Sequence, residues 1–232
     1  MDFLKILWML LIASIPGCLE SYSWHQKVTI EVETPEGVKT GSSVVAVRWK
    51  ENGELGRLNG PAFHSNVEGE APFVEVKPGA YLFAILRGAA FLAPCTFVGG
   101  APISSHDGLL VNYGLIAQTG PELERSRETR TVPEECMPML VTFKDINDAA
   151  TVERVNPDDL SATFGPGFQM KSIILGITDK PKTRGKVETV LRWWCDYRKR
   201  RARLNGSTEI GISDNELSNN LGTGQFKIGD CE

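Results

Sequence analysis

The chain has 232 residues, of which 41% are hydrophobic and 23% are charged, and its formal net charge at pH 7 is −4. This length and composition are sufficient for one independent hydrophobic core and argue against wholesale disorder. The mildly acidic charge gives no general attraction to nucleic acid, so no nucleic-acid partner is expected.

Residues 1–17 have the pattern of an export signal. A short polar start is followed by an apolar run from residue 3 to residue 15, FLKILWMLLIASI, which has the length of a secretory apolar region, about 7–15 residues. This run is too short to cross a bilayer comfortably, because a spanning helix needs about 20 apolar residues. We therefore predict a signal peptide of the lipoprotein type over residues 1–17.

The end of this segment, Ile15-Pro16-Gly17-Cys18, resembles the lipobox of bacterial lipoproteins. The resemblance implies that Cys18 carries a thioether-linked diacylglycerol and becomes the first residue of the mature protein, anchored to the membrane and facing the periplasm. Leu19 is not the aspartate that retains many enterobacterial lipoproteins in the inner membrane, so the resemblance favours the outer membrane. An ordinary cleaved signal and a retained N-terminal anchor are the alternatives.

The N-terminal half has the pattern of an antiparallel sheet. Residues 27–33 alternate apolar and polar side chains, as a half-buried strand does, and residues 42–49 form a second strand rich in β-branched residues. Residues 72–76 and 80–86 repeat this hairpin plan around a Gly/Pro turn. The four strands predict a β-rich α+β domain whose antiparallel sheet forms a sandwich or an open barrel.

The middle of the chain is less regular. Residues 87–138 are rich in Gly, Ala and Pro at first and are predicted to be mainly loop, with one or two exposed helical turns within residues 121–130. A strand is predicted at residues 139–143, and a short helix from residue 158 to residue 164. The next strand is predicted at residues 168–179.

Residues 185–204 form the clearest helix candidate, followed by a polar tail from about residue 207. One stripe of this helix is apolar and is predicted to face the core; it includes Val187, Leu191, Trp194 and Tyr197. The opposite side carries cations that are candidates for contact with anionic lipid headgroups: Arg192, Lys199, Arg200 and Arg203. The alternative is a solvated basic face. Residues 18–232 are therefore predicted to form a single domain.

Four cysteines remain once Cys18 is assigned to lipidation. Their even number in an exported chain predicts at least one disulfide among them, with the pairing left open: Cys95, Cys136, Cys195 and Cys231. Four free thiols are the alternative. No pair has a C-x-x-C spacing and no histidine lies close to one of these cysteines in the sequence, so no metal site is predicted.

Catalytic residues have few candidates in this sequence. His64 lies in a Gly/Pro loop, and His106 and Asp107 lie in the sequence SSHDG. Neighbours in a turn usually point apart, whereas the members of a catalytic triad meet through the fold, and Asp107-Gly108 is typical of a tight turn. Nucleophile-elbow, P-loop and H-E-x-x-H motifs are all missing from the sequence. No cofactor is expected.

Three segments resemble an uncharacterised family of proteobacterial proteins, namely residues 139–173, residues 219–226 (NNLGTGQF) and residues 21–37. The resemblance covers much of the mature chain and implies one family rather than two joined domains, but it implies no reaction, substrate or cofactor. We therefore predict a lipid-anchored protein of the cell envelope that acts as a structural or binding module, with another envelope protein as a candidate partner. A periplasmic hydrolase-type enzyme that uses His64 or His106 with acidic residues is the alternative.

Overall fold

The structure of the protein, a computed structural model, describes residues 19–53, 63–99, 106–209 and 216–231, with residues 106–115 described as backbone alone. The predicted signal peptide and Cys18 lie outside these residues. The strands within them are β1 (Ser21–Thr34), β2 (Gly37–Glu51), β3 (Phe63–Glu70), β4 (Phe73–Lys77), β5 (Ala80–Ala84), β6 (Thr129–Thr131), β7 (Leu140–Phe143), β8 (Val152–Val155), β9 (Gln169–Thr178) and β10 (Lys227–Ile228). The α-helices are α1 (Ala89–Val98), α2 (His106–Arg125), α3 (Ser161–Phe164), α4 (Lys186–Val190), α5 (Trp194–Arg200) and α6 (Leu217–Asn220).

The strands form two antiparallel sheets, which confirms the predicted strand-rich α+β class. Sheet A has the order β10-β3-β2-β1-β9-β6, and sheet B has the order β4-β5-β7-β8. The β1–β2 hairpin is the centre of sheet A, and its register runs from Ser21 opposite Lys50 to Thr34 opposite Gly37. It forms because period-two alternation places every second side chain of each strand on the same face.

Two hydrophobic cores are separated by sheet B. The first core combines the inner face of sheet A with one face of sheet B and with helix α1. Gln26 is fully buried in this layer and donates from Nε2 to the carbonyl of Ala89 over 2.8 Å, which links β1 to α1. The second core combines the other face of sheet B with α4, α5 and the C-terminal segment. Sheet A is therefore covered on one face, and sheet B on both.

The prediction that residues 87–138 are mainly loop is wrong. They contain α1 and α2, and the tight turn predicted at Asp107-Gly108 is instead part of the first turn of α2. Helix α1 was missed because it is buried on all sides, from Ala89 through Thr96. A helix that is apolar all round lacks the polar stripe that marks an amphipathic helix. Pro94 inside α1 adds to the loop-like composition.

The single helix predicted over residues 185–204 is also wrong, because the chain forms two short helices, α4 and α5, with a break at Leu191. The direction of its apolar stripe is as expected: Val187, Leu191 and Trp194 have no exposed surface. The Trp194 indole N–H donates to the carbonyl of Thr223 over 2.9 Å. Next to the break, the Trp193 indole N–H donates to the carbonyl of Ile146 over 3.0 Å.

The segment predicted as a polar tail contributes to the core. Leu221 and Phe226 are buried in the second core, and β10 pairs with β3 at the edge of sheet A. Lys227 follows Phe226 and is almost fully buried, with its Nζ 2.9 Å from Glu188 Oε2 and 3.6 Å from Glu70 Oε1. Leu221 and Phe226 thus anchor to the second core a segment that is otherwise rich in Asn, Gly and Ser.

The four cysteines form two disulfides. Cys95 of α1 is joined to Cys136, and Cys195 of α5 is joined to Cys231, with Cα–Cα distances of 5.8 Å and 5.6 Å. Both distances lie in the usual range for disulfides, about 4.4–6.8 Å. The first bridge attaches α1 to the chain that enters sheet B, and the second ties the C-terminal segment to α5. Each core is thus cross-linked once.

Candidate binding cleft on the open face of sheet A

The outer face of sheet A carries a cleft with a volume of about 710 Å³. Ligand pockets commonly have volumes of about 300–1,000 Å³. The floor consists of outward-facing residues of adjacent strands, including Ser23 and His25 of β1 and Ala46 and Arg48 of β2. The end of α2 with the residues after it forms one wall of the cleft, and the segment after β9 forms another.

This second wall is residues 179–184, which we call the strap. The strap leaves the end of β9 and crosses toward β2, where the N–H of Thr183 donates to the carbonyl of Val44 over 2.9 Å. The N–H of Val44 donates back to Thr183 Oγ1, also over 2.9 Å. Beyond the strap, Glu70 accepts the N–H groups of Lys186 and Val187 over 2.9 and 3.1 Å. The C-terminal end of the strap is therefore held by hydrogen bonds to β2 and β3.

His25 holds the beginning of the strap. Its Nδ1 lies 2.6 Å from the carbonyl oxygen of Lys180, and because a carbonyl can only accept, Nδ1 must be the donor. In a neutral ring Nε2 is then an acceptor. His25 is not among the candidate histidines that the sequence pointed to, which were His64 and His106. The alternation of β1 could have predicted this position, because it places the His25 side chain on the open face of sheet A together with that of Ser23.

All three acidic groups that line the cleft are engaged within the protein. Lys182 of the strap forms an ion pair with Glu68, and Arg127 donates from Nε to Asp179 Oδ2 over 2.8 Å. The remaining acid, Glu124, accepts the backbone N–H of β1 residue 23 at its Oε1 over 2.6 Å. The charges of Lys182 and Arg127 are thus balanced by acids of the protein itself, and two further arginines line the cleft.

Arg48 and Arg184 are these two arginines, and both are exposed. Among the described residues, neither has an ion-pair partner or donates a hydrogen bond to an acidic side chain. The pKa of the Glu68 carboxyl is lowered, first by the hydrogen bond and charge of Lys182 and then by the charges of Arg48 and Arg184. The two guanidinium groups therefore lie near the same carboxylate. The cleft presents four Lys/Arg side chains against three acids.

The histidines singled out in the sequence do not form a catalytic arrangement in the described part of the chain. His64 lies on β3 opposite Lys50, is exposed, and has its Nδ1 2.7 Å from the amide oxygen of Asn52. Its partner is thus an amide, not a carboxylate, and it does not line the cleft. His106 and Asp107 begin α2, and their side chains lie outside the described residues.

The four cations proposed for headgroup contact differ in availability. Arg200 is bound to Asp196, with Nη2 2.7 Å from Oδ2, and lies 4.8 Å from the Tyr197 ring centroid. Arg203 is half-buried and donates to the carbonyl of residue 219. Arg192 and Lys199 are exposed. Contact of this face with lipid stays a prediction.

Comparison with known proteins gives no relative: no family model, no curated protein and no solved structure matches the chain. Over the described ranges, the one cluster with metal-ligand spacing is Glu188, Cys195 and Cys231, whose ligand atoms lie within 4.8 Å of one another. Both of its sulfur atoms belong to a disulfide and are not free thiolates. The helices of the same ranges include none that is long and apolar enough to cross a membrane.

Proposed function

We propose that the protein is a lipid-anchored binding module of the bacterial cell envelope and that the cleft on the open face of sheet A is its binding site. The observation that carries the proposal is the position of the cleft. Its floor begins at Ser23, five residues after Cys18. Since an extended residue spans at most about 3.3–3.6 Å, the edge of the cleft would lie within about 20 Å of a lipid attached to Cys18.

The interior of the cleft supports binding more than catalysis. One wall is fixed by backbone hydrogen bonds of the strap, and two of the four cations of the cleft are paired with acids. A hydrolase would need a base within hydrogen-bond reach of a nucleophile or an acid. His64 contacts an amide oxygen, so the hydrolase alternative gains no support from that residue.

Attachment to the membrane is tested on Cys18. In cells grown with labelled palmitate, the wild type should incorporate label and Cys18→Ser should remain an unlabelled precursor. Equal labelling of the two proteins would contradict the lipid anchor.

The binding site is tested by filling the cleft. Ala46 lies on its floor, whereas Thr29 lies on the same outer face of sheet A but does not line the cleft. Protein isolated from membranes in mild detergent should carry a non-covalent small molecule, detected by mass spectrometry of an extract. Ala46→Trp should lose that molecule and Thr29→Trp should keep it. Equal retention in both variants, or no molecule in the wild type, would contradict a binding site at this cleft.

A further inference from the structure

We propose that the ligand of this cleft is a phosphorylated molecule and that Arg48 and Arg184 bind its phosphoryl group. This inference rests on the proposed function, because it names the ligand class of the same site. It does not depend on whether the phosphoryl group belongs to a lipid headgroup or to a soluble molecule, and the experiment below separates these two sources.

The first argument is the distribution of charge within the cleft. Lys182 and Arg127 have acidic partners, in Glu68 and Asp179. Arg48 and Arg184 have no such partner among the residues that the structure describes, although both line the same cleft and both act on the Glu68 carboxyl. Glu68 is already paired with Lys182 and does not neutralise the two arginines as well, so an anion bound between them would offset their remaining positive charge.

The second argument is the position from which each arginine approaches. Arg48 rises from the outer face of β2, and Arg184 follows Thr183, whose backbone is hydrogen-bonded to Val44 of the same strand. Val44 and Arg48 are four residues apart, which is about 13 Å along a strand at about 3.3 Å per residue. Two long arginine side chains that start from such a separation are able to reach one ligand from opposite sides.

The third argument concerns the kind of anion. A guanidinium group donates two parallel hydrogen bonds to a carboxylate or a phosphate. A carboxylate carries one negative charge on two oxygens, whereas a phosphoryl group carries a charge of about −1.5 to −2 at pH 7 on three acceptor oxygens and so matches two arginine charges at once. Two arginines on one cleft that lack an acidic partner in the described part of the chain therefore fit a phosphoryl group better than a carboxylate.

The experiment uses the full-length protein in a neutral detergent. Binding of inorganic phosphate, glycerol 3-phosphate and acetate is measured by titration calorimetry. The test variant is Arg48→Gln with Arg184→Gln. The control variant, Arg154→Gln with Arg198→Gln, removes the same charge from two exposed arginines outside the cleft. Thermal unfolding of both variants should match the wild type, because all four side chains are exposed.

We expect the wild type and the control to bind glycerol 3-phosphate, and the test variant to bind it about 10- to 100-fold more weakly for each arginine lost. Acetate that binds as tightly as phosphate, or a test variant that binds like the control, would overturn the phosphoryl assignment. If no phosphorylated probe binds while Ala46→Trp still loses a retained molecule, this inference fails and the proposed function stands. If neither effect occurs, both fail.

The source of the phosphoryl group is settled with vesicles of phosphatidylcholine that contain or lack phosphatidic acid, whose headgroup is a phosphomonoester like glycerol 3-phosphate. A headgroup ligand predicts that only the vesicles with phosphatidic acid displace bound glycerol 3-phosphate, and that this displacement is lost in the test variant. A soluble ligand predicts that neither kind of vesicle displaces it. Displacement by both kinds alike would contradict selection of a phosphomonoester by the cleft, because phosphatidylcholine carries only a phosphodiester beside its choline cation.

Discussion

Sheet A and sheet B are built from similar antiparallel strands but differ in how many of their faces are buried. In sheet B, consecutive residues of one stretch lie in different cores: Leu82 in the first, Phe83 in the second. In sheet A, the inward residues of β1 lie in the first core, while His25 and Lys27 face outward and are partly exposed. A face that the core does not use is free to carry polar chemistry, and the cleft of about 710 Å³ lies there.

The two sheets therefore differ in what a substitution should do. Phe83 of sheet B has ring contacts with Phe143 and Phe226, at centroid distances of 5.9 and 5.5 Å. Changes in this aromatic layer should alter stability, because large buried side chains contribute most to it. Changes on the open face of sheet A should leave stability almost unchanged and alter binding instead.

The largest effect is expected for Trp194→Ala in the layer behind sheet B. Trp194 has no exposed surface, and its indole N–H is bonded to the carbonyl of Thr223, so its removal leaves a cavity and an unsatisfied acceptor. We expect a loss of about 3–5 kcal/mol in the free energy of unfolding, measured with urea. The control Lys199→Ala, on the exposed side of α5, should change it by less than about 0.5 kcal/mol. A neutral Trp194→Ala would show that this layer is not a core.

The two disulfides should contribute similarly to the two cores. They close loops with sequence separations of 41 and 36 residues, so each is expected to stabilise the protein by about 2–4 kcal/mol. Peptide mapping of unreduced protein should find Cys95 linked to Cys136 and Cys195 linked to Cys231. Urea unfolding of the two paired Cys→Ser variants should show comparable losses. Four thiols that alkylate without reduction would contradict both bridges.

The junction between the sheets should tolerate no added atom at Gly41. A Cβ at this position would lie 1.7 Å from the carbonyl oxygen of Phe73, so β2 and β4 would have to separate. Gly41→Ala should lower the free energy of unfolding by about 1–3 kcal/mol, as overpacking does. Gly53→Ala is a matched control, since nothing lies within 4 Å of its added Cβ. Equal stability of the two variants would mean that the sheets do not meet here.

Ionisation of Tyr22 gives a smaller effect on the sheet A side. The hydrogen bond to Glu20, burial and the charges of Glu20 and Glu124 raise the pKa of Tyr22 to about 12. Because the folded-state pKa is above the unfolded value of 10.0, this stabilisation is complete below pH 10 and is lost as the pH rises toward 12. Absorbance at 295 nm should show one phenol that titrates near pH 12 and is missing in Tyr22→Phe. A titration of this phenol near pH 10 would contradict its environment.

The sequence allowed the β hairpins to be predicted because their alternation is strict. β1 and β2 follow a period of two, and their connection is a short Gly-containing turn. β3 was missed because its residues, FHSNVEGE, have no such alternation and its burial pattern is irregular. It pairs on one side with β2, the preceding strand, and on the other with β10, which is distant in the sequence. Non-local pairing of this kind leaves no mark in a local pattern.

The candidate site was harder to predict than the fold. The alternation of β1 and β2 is enough to place His25 and Arg48 on one face of sheet A, but the path of the strap is not encoded in any period. Arg184 reaches the cleft because Thr183 bonds to Val44, far earlier in the chain. The sequence instead predicted a contact surface at the basic cluster near residue 200, although part of that cluster is engaged in local contacts.

The most direct test of the cleft is a titration that reports on both sheets at once. Amide chemical shifts of the full-length, isotope-labelled protein are followed as glycerol 3-phosphate is added. We predict that the largest changes occur on the open face of sheet A and the strap, at Ser23, Arg48 and Lys182, and that Phe83 and Val141 of sheet B stay unchanged. Largest changes in sheet B or in α5, with an unchanged cleft, would contradict the assignment of binding to the open face.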